Sequence, residues 1–143
     1  MKEKTFAWWI IFVLLCIWQL PQFLVALIMI PFLGKLELVA ERHFNICFKG
    51  EDMSGGISLG PFCYVSKYLA ERKAETAHEL DGHTVQSKIL GPLYLIVIGI
   101  PSILWAAFQK KKCYYWFYTE STANYFANLE VDEYCHLKFK ENN

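Results

Sequence analysis

The chain has 143 residues, of which 55% are hydrophobic and 17% aromatic, and its fourteen basic and fourteen acidic side chains cancel. That length suits a single domain able to bury a core. The composition is greasier than a soluble domain of this size usually shows, which points to a membrane. No basic stripe is interleaved with aromatics, so nucleic acid is not an expected partner.

Residues 6–33 contain no charged side chain and follow Lys2 and Lys4. As one helix they would extend about 42 Å, more than a ~30 Å hydrocarbon core. The run is longer than a signal peptide's apolar region and lacks a small-residue cleavage site, so a transmembrane helix is expected, kinked at Pro21. Splitting into two short membrane-dipping pieces is the alternative. Trp8, Trp9 and Trp18 suit interfacial or lipid-facing positions.

Residues 41–66 change character. "RHFNICFKG" and "GISLGPFCYVS" flank the turn-forming "GEDMSGG", the pattern of a β-hairpin with a loop longer than two residues. Cys47 and Cys63 fall in its two arms and can approach each other. Residues 67–90 are the most charged stretch and predict a helix that Gly91-Pro92 stops. Residues 92–108 form a second apolar run, interrupted by Gly99 and Pro101 and closed by Lys110, Lys111 and Lys112; it is marginal as a full span. Residues 114–129 predict a final amphipathic helix, and the polar tail beyond Leu129 predicts a loosely held terminus. The fold class expected is therefore an α+β membrane protein with a transmembrane helix, a β-hairpin, a motif-bearing helix, a re-entrant or second membrane segment and a C-terminal helix. The five cysteines are odd in number and contain no C-x-x-C pair, which reads as small buried apolar residues rather than a disulfide framework.

The chemistry concentrates in "HELDGH", residues 78–83. Zinc hydrolases need two imidazoles on one helical face, a carboxylate to activate water, a third ligand and an open position. In His-Glu-x-x-His the histidines are four apart. Here they are five apart, about 140° around a regular helix. A π-bulge between His78 and His83 absorbs one extra residue and returns both rings to one side. Gly82 lowers the cost of that distortion. The bland alternatives are a solvated polar face or a Glu79–His83 pair at i,i+4. Glu75 and His78 echo half of a di-iron carboxylate site, a reading that is discounted. His43 and His136 have no spaced partners and stay outside the candidate site.

"QLPQ" (19–22), "GISLG" (56–60), "HE…GHTVQS" (78–87), "GPLY" (91–94) and "YTESTAN" (118–124) occur in this order. Together they resemble a family of small bacterial membrane proteins with an HExxH-type, metallopeptidase-like motif. The resemblance implies His78 and His83 as metal ligands, Glu79 as the general base and zinc as the metal. By analogy with zinc hydrolases that take a downstream glutamate, it implies Glu120 as the third ligand. On residues alone, Glu120 also reads as a capping or surface carboxylate, and Asn124, four residues on, is placed to orient it. The chain departs from the family pattern by one extra residue, Leu80 or Asp81.

A shared site requires His78 and Glu120 on one side of the membrane, so residues 92–108 must dip in and return, with Gly99 and Pro101 as the expected turning point. The competing topology has two spans, with Lys2, Lys4 and Lys110 to Lys112 all cytoplasmic. The expected function is a zinc-dependent, membrane-associated hydrolase acting on peptide or protein, or a degenerate relative of one, in a lipid bilayer such as the bacterial inner membrane. The alternative is a non-catalytic membrane protein serving as an interaction subunit.

Overall fold

The computed structural model describes residues 4–110 and 112–141, which leaves Lys2 and Lys111 outside the described residues. It has a mixed α+β architecture. The first apolar run is not one helix. It forms α1 (Phe6–Trp18) and α2 (Leu20–Met29), the second prolonged by a 3-10 turn to Phe32, and the two arms meet at 95°. The break falls at Gln19, two residues before Pro21. Pro21 sits in the first turn of α2, where its missing N–H leaves no bond unmade. The expected kink is thus replaced by the split. Among the described residues no single helix is long and apolar enough to cross a membrane.

The expected single hairpin is also corrected. Residues 36–66 fold as two hairpins, β1 (Leu36–Arg42) with β2 (Asn45–Gly50) and β3 (Gly56–Leu59) with β4 (Phe62–Ser66). Their inner strands pair in parallel, giving the order β1-β2-β4-β3. His43 and Phe44 both take positive φ between the paired Arg42 and Asn45, the backbone of a two-residue primed turn. Gly60, at φ +66°, opens the second turn ahead of Pro61, where glycine is the residue that turn demands. Cys47 and Cys63 are register partners across β2 and β4. Both are fully buried and free; Cys16 is also free and buried.

The sheet is covered on both faces. Phe48, Leu59, Phe62 and Tyr64 pack toward Ala26 and Leu33 of the N-terminal helical arm. The alternate residues Cys47, Cys63 and Val65 pack on Leu80 of the motif segment, as the period of two requires. That segment is not one continuous helix. Ser66 caps a short α3 (Lys67–Ala70), accepting from the Leu69 N–H. Then come α4 (Lys73–Ala77), a π-helical turn over His78–His83, and α5 (Thr84–Leu90). Gln22 on α2 clamps α5 from the other side, donating to Ser87 Oγ at 3.0 Å and to the Gly91 carbonyl at 2.8 Å.

The second apolar run turns back. Lys73–Leu93 and Leu95–Phe108 meet at 120°, so the reversal centres on Tyr94. Gly99 and Pro101 are not the turning point: Gly99 ends a π-helical turn, and Pro101 occupies the first turn of α6 (Ile100–Phe108). The chain then returns beside α6, with the Trp105 Nε1–H donating to the Tyr114 carbonyl at 3.0 Å, and enters α7 (Tyr118–Phe126). The tail is not loose. It pairs as β5 (Leu129–Val131) and β6 (Leu137–Phe139) and is tied by a Cys113–Cys135 disulfide. Two of the five cysteines therefore depart from the buried-apolar reading. Closing 22 residues is an entropic constraint on the unfolded chain of about 3 kcal/mol.

Candidate metal centre

The one-residue excess in "HELDGH" is absorbed where the spacing said it must be. His78–His83 is π-helical, and the two rings stand with centroids 4.7 Å apart instead of on opposite sides. Both are buried, at 3% and 5% exposure. Gly82 matters here for a reason beyond backbone freedom. A Cβ at Gly82 would lie 2.6 Å from the carbonyl oxygen of Ala123 and 3.0 Å from its carbon. Only a residue without a side chain lets α7 come this close.

That close approach delivers Glu120. Thr119, Glu120, Ala123 and Asn124 form the buried face of α7. Glu120 Oε2 lies 3.0 Å from His78 Nε2 and 3.2 Å from His83 Nε2. Its other oxygen accepts from Ser102 Oγ at 2.5 Å and Thr119 Oγ1 at 2.9 Å. Glu120 is 0% exposed, so the surface reading of this carboxylate is overturned. The second apolar run supplies Ser102, which is why its return toward the site matters.

The far nitrogens are tied down as well. His83 Nδ1 lies 2.7 Å from Gln86 Oε1. The Gln86 amide nitrogen is committed as a donor, to the Thr119 carbonyl at 2.7 Å and Thr122 Oγ1 at 2.6 Å. Gln86 Oε1 is therefore an acceptor, and the proton of His83 belongs on Nδ1. His78 Nδ1 lies 2.7 Å from Asn124 Oδ1, which accepts its proton when the ring carries it on Nδ1. Asn124 thus orients His78, not Glu120. With each Nδ1 donating, each neutral ring turns a bare Nε2 lone pair toward a carboxylate oxygen. Three acceptors face one point, an arrangement that needs a cation between them. A carbonyl behind each ligating imidazole is the usual support of such a site. The observed 3.0 and 3.2 Å separations are close to the roughly 3.3 Å edge of a tetrahedron with ~2.0 Å metal–nitrogen bonds.

Glu79 is the fourth member. The nearest ligand atoms of His78, Glu79 and His83 lie within 4.8 Å of one another, and this buried group can hold a metal ion. Two carboxylates therefore compete for the third ligand position. Glu120 Oε2 already stands at the focus of both Nε2 atoms. Glu79 is restrained elsewhere: the Ser58 hydroxyl donates to its Oε2 at 2.6 Å and lies 3.0 Å from its backbone carbonyl. Gly56 flanks the same side chain, and a Cβ there would come within 2.8 Å of its carboxyl carbon. This favours Glu120 as ligand and Glu79 as base. Ser58, Gln86, Ser102 and Gly56 are the functional residues that sequence reasoning missed. Of these only Gln86 carried a local signal, three residues past His83.

Without metal, a proton fills the gap. Burial works against charge on His83, but the hydrogen bond and charge of Glu120, with Glu79 nearby, outweigh it and raise the pKa from 6.5 to about 9. Burial also works against ionising Glu120, and the two imidazoles reverse that, holding it well below the carboxylate range. The His83 contribution to metal-free stability is full below pH 6.5 and is lost as pH rises to about 9. The Glu120 contribution is full above pH 4.5 and is lost only in stronger acid. Metal must displace the His83 proton. In chelator, thermal unfolding is therefore expected to show Tm falling between pH 6.5 and 9, while the increment added by a bound divalent metal grows over the same range. A metal-free Tm that is flat across this window would contradict the His83–Glu120 pairing.

Comparison with protein-family models, with curated proteins and with solved structures gives no match.

Proposed function

We propose that the protein is a membrane-associated, zinc-dependent hydrolase of the peptidase type. The observation that carries this reading is the convergence of His78 Nε2, His83 Nε2 and Glu120 Oε2 on one buried point, with both Nδ1 atoms engaged behind them. Two imidazoles and one carboxylate, with room for a further ligand, suit a catalytic zinc centre. The ordered resemblance to small bacterial membrane proteins with an HExxH-type motif supports the same assignment. Because the π-helical turn absorbs the extra residue, the intact site is favoured over a degenerate one.

Zinc held by these residues would act as a Lewis acid and lower the pKa of a bound water from 15.7 to about 7. The remaining work falls to the chain. Glu79 takes the proton of the attacking water on Oε1 and passes it to the departing amine, while Ser58 holds Oε2 still. Tyr114, kept protonated by its burial, lines the same cavity as Glu79 and His83 and can donate to the oxygen of the attacked carbonyl.

The membrane part of the reading rests on the outer surfaces of α1, α2 and α6. Phe6, Ile17, Ile28, Phe32, Ile100 and Phe108 are all exposed, and apolar surface on that scale is uncommon on soluble monomers. We assign it to lipid contact, with the bent α1–α2 pair and α6 dipping into the bilayer. The Cys113–Cys135 bridge favours a site on the oxidising side of that membrane.

The test is hydrolysis of a mixed peptide library by the protein in lipid vesicles. Cleavage should stop with a zinc chelator and return on adding zinc. Cleavage that survives complete metal removal, or an absence of cleavage in the zinc-loaded protein, would overturn the assignment.

A further inference from the structure

The outer edge of the sheet leads into the metal centre. Among the described residues, β3 is the terminal strand and pairs only with β4. The Ser66 N–H donates to the Gly55 carbonyl at 2.8 Å, so the alternating bonds of the antiparallel ladder turn residues 55, 57 and 59 toward β4. The backbone groups of Gly56 and Ser58 point the other way. Tyr94 confirms the direction by donating its hydroxyl to the Ser58 carbonyl at 3.1 Å. Gly56, which touches Glu79, is itself exposed.

A cavity of about 380 Å³ lies along this same edge. Glu79, His83, Ser102 and Tyr114 form its polar end. Val25 and Met29 of α2 and Ile100 and Ile103 of α6 form its walls, and among the described residues lining it Glu79 is the one carboxylate and His83 the one imidazole. The outer sides of those two helices are the exposed apolar surface assigned to lipid.

We propose that this cleft takes an extended, uncharged apolar peptide segment, which adds as a strand to the outer edge of β3. Main-chain pairing with the exposed Gly56, the Ser58 carbonyl being held by Tyr94, carries the peptide backbone past Glu79, and its side chains fill the apolar walls. This rests on the hydrolase reading for its chemistry. Binding itself needs only the strand edge and the cavity. The implied substrates are membrane-borne proteins presenting an unfolded apolar stretch.

The experiment is fluorescence polarisation in detergent with the full chain. One arm is zinc-loaded Glu79→Gln, which binds without cutting; the other is metal-free wild type, in case the variant does not fold. Three labelled peptides of about ten residues are compared: one uncharged and apolar, the same peptide with alternate amides N-methylated, and a version carrying alternating lysine and glutamate. N-methylation removes strand pairing while making the peptide greasier, so partition into micelles moves in the opposite direction. The apolar peptide should bind, with N-methylation and charge each weakening it by about tenfold or more. Ala106→Phe, which fills the cavity from α6, should weaken it similarly while zinc content stays unchanged. Equal binding of the methylated peptide would overturn strand addition. Equal binding of the charged peptide would overturn the apolar preference, and no peptide binding in either arm would overturn both. If the wild type binds no zinc yet shows the methylation-sensitive binding, the hydrolase reading fails and the peptide cleft stands.

Discussion

Glu79→Gln is expected to leave zinc bound while peptide hydrolysis falls by about 10²-fold or more, the range general-base catalysis contributes. The substitution is close to isosteric. Ser58 can still donate to the remaining side-chain oxygen of residue 79, as it does to Oε2 at 2.6 Å, so the packing against Gly56 and β3 should persist. What disappears is the basic oxygen. Zinc content and hydrolysis measured on the same preparation also decide between the two carboxylates. Loss of metal in Glu79→Gln would make Glu79 a ligand, as its place in the His78–Glu79–His83 group allows. Retained metal and retained activity would remove it from the mechanism.

Gly82→Ala is expected to be the most damaging small change in the chain. The added Cβ meets Ala123 backbone at 2.6 Å, and backbone cannot rotate away as a flexible side chain would. α7 must move out, taking Glu120 and Asn124 from His78. Zinc affinity should fall by about 10- to 100-fold, the range seen when the partners behind metal ligands are lost. Stability should fall by about 1–3 kcal/mol from overpacking. Zinc titration and denaturant unfolding in detergent measure the two effects. Wild-type affinity in Gly82→Ala would mean that α7 is not a structural part of the centre.

The parts of this molecule that were legible in sequence are those governed by local spacing. A five-residue step from His78 to His83 leaves few ways to share a site, and the π-helical turn is one. Cys47 and Cys63 were legible as residues of two strand-like arms, but they meet across a parallel pair joining two hairpins, not within the single hairpin expected. Glu120 was different. On its own it looked like a cap or surface residue, and only the ordered resemblance pointed to it. The two-hairpin sheet was hidden because His43 and Phe44, not glycine or asparagine, adopt the positive φ of the first turn. A parallel β2–β4 pair also leaves no mark in the intervening "GEDMSGG". Contacts at long separation were beyond local reading altogether. Ser58 reaches Glu79 across 21 residues and Gln86 reaches Thr119 across 33. The disulfide joins two cysteines whose pairing no motif announces.

The bend at Gln19 has a physical account that composition alone did not supply. Gln19 and Gln22 are fully buried polar residues within an otherwise apolar run. Gln22 is held by Ser87 and the Gly91 carbonyl, and the Trp18 indole N–H donates to the Lys88 carbonyl at 2.8 Å. Burial of an amide is tolerated where such partners exist. The N-terminal arm is therefore folded against the motif segment and is not free to extend as one straight helix.

The most direct measurement is the zinc content of the purified protein by atomic spectroscopy, after dialysis against equimolar zinc, for wild type, His83→Ala and Glu120→Ala. The expected result is one zinc per wild-type chain, none held by His83→Ala, and weakened binding in Glu120→Ala with its helical content intact. A wild type that retains no zinc, or a His83→Ala protein that retains as much as wild type, would contradict the metal centre.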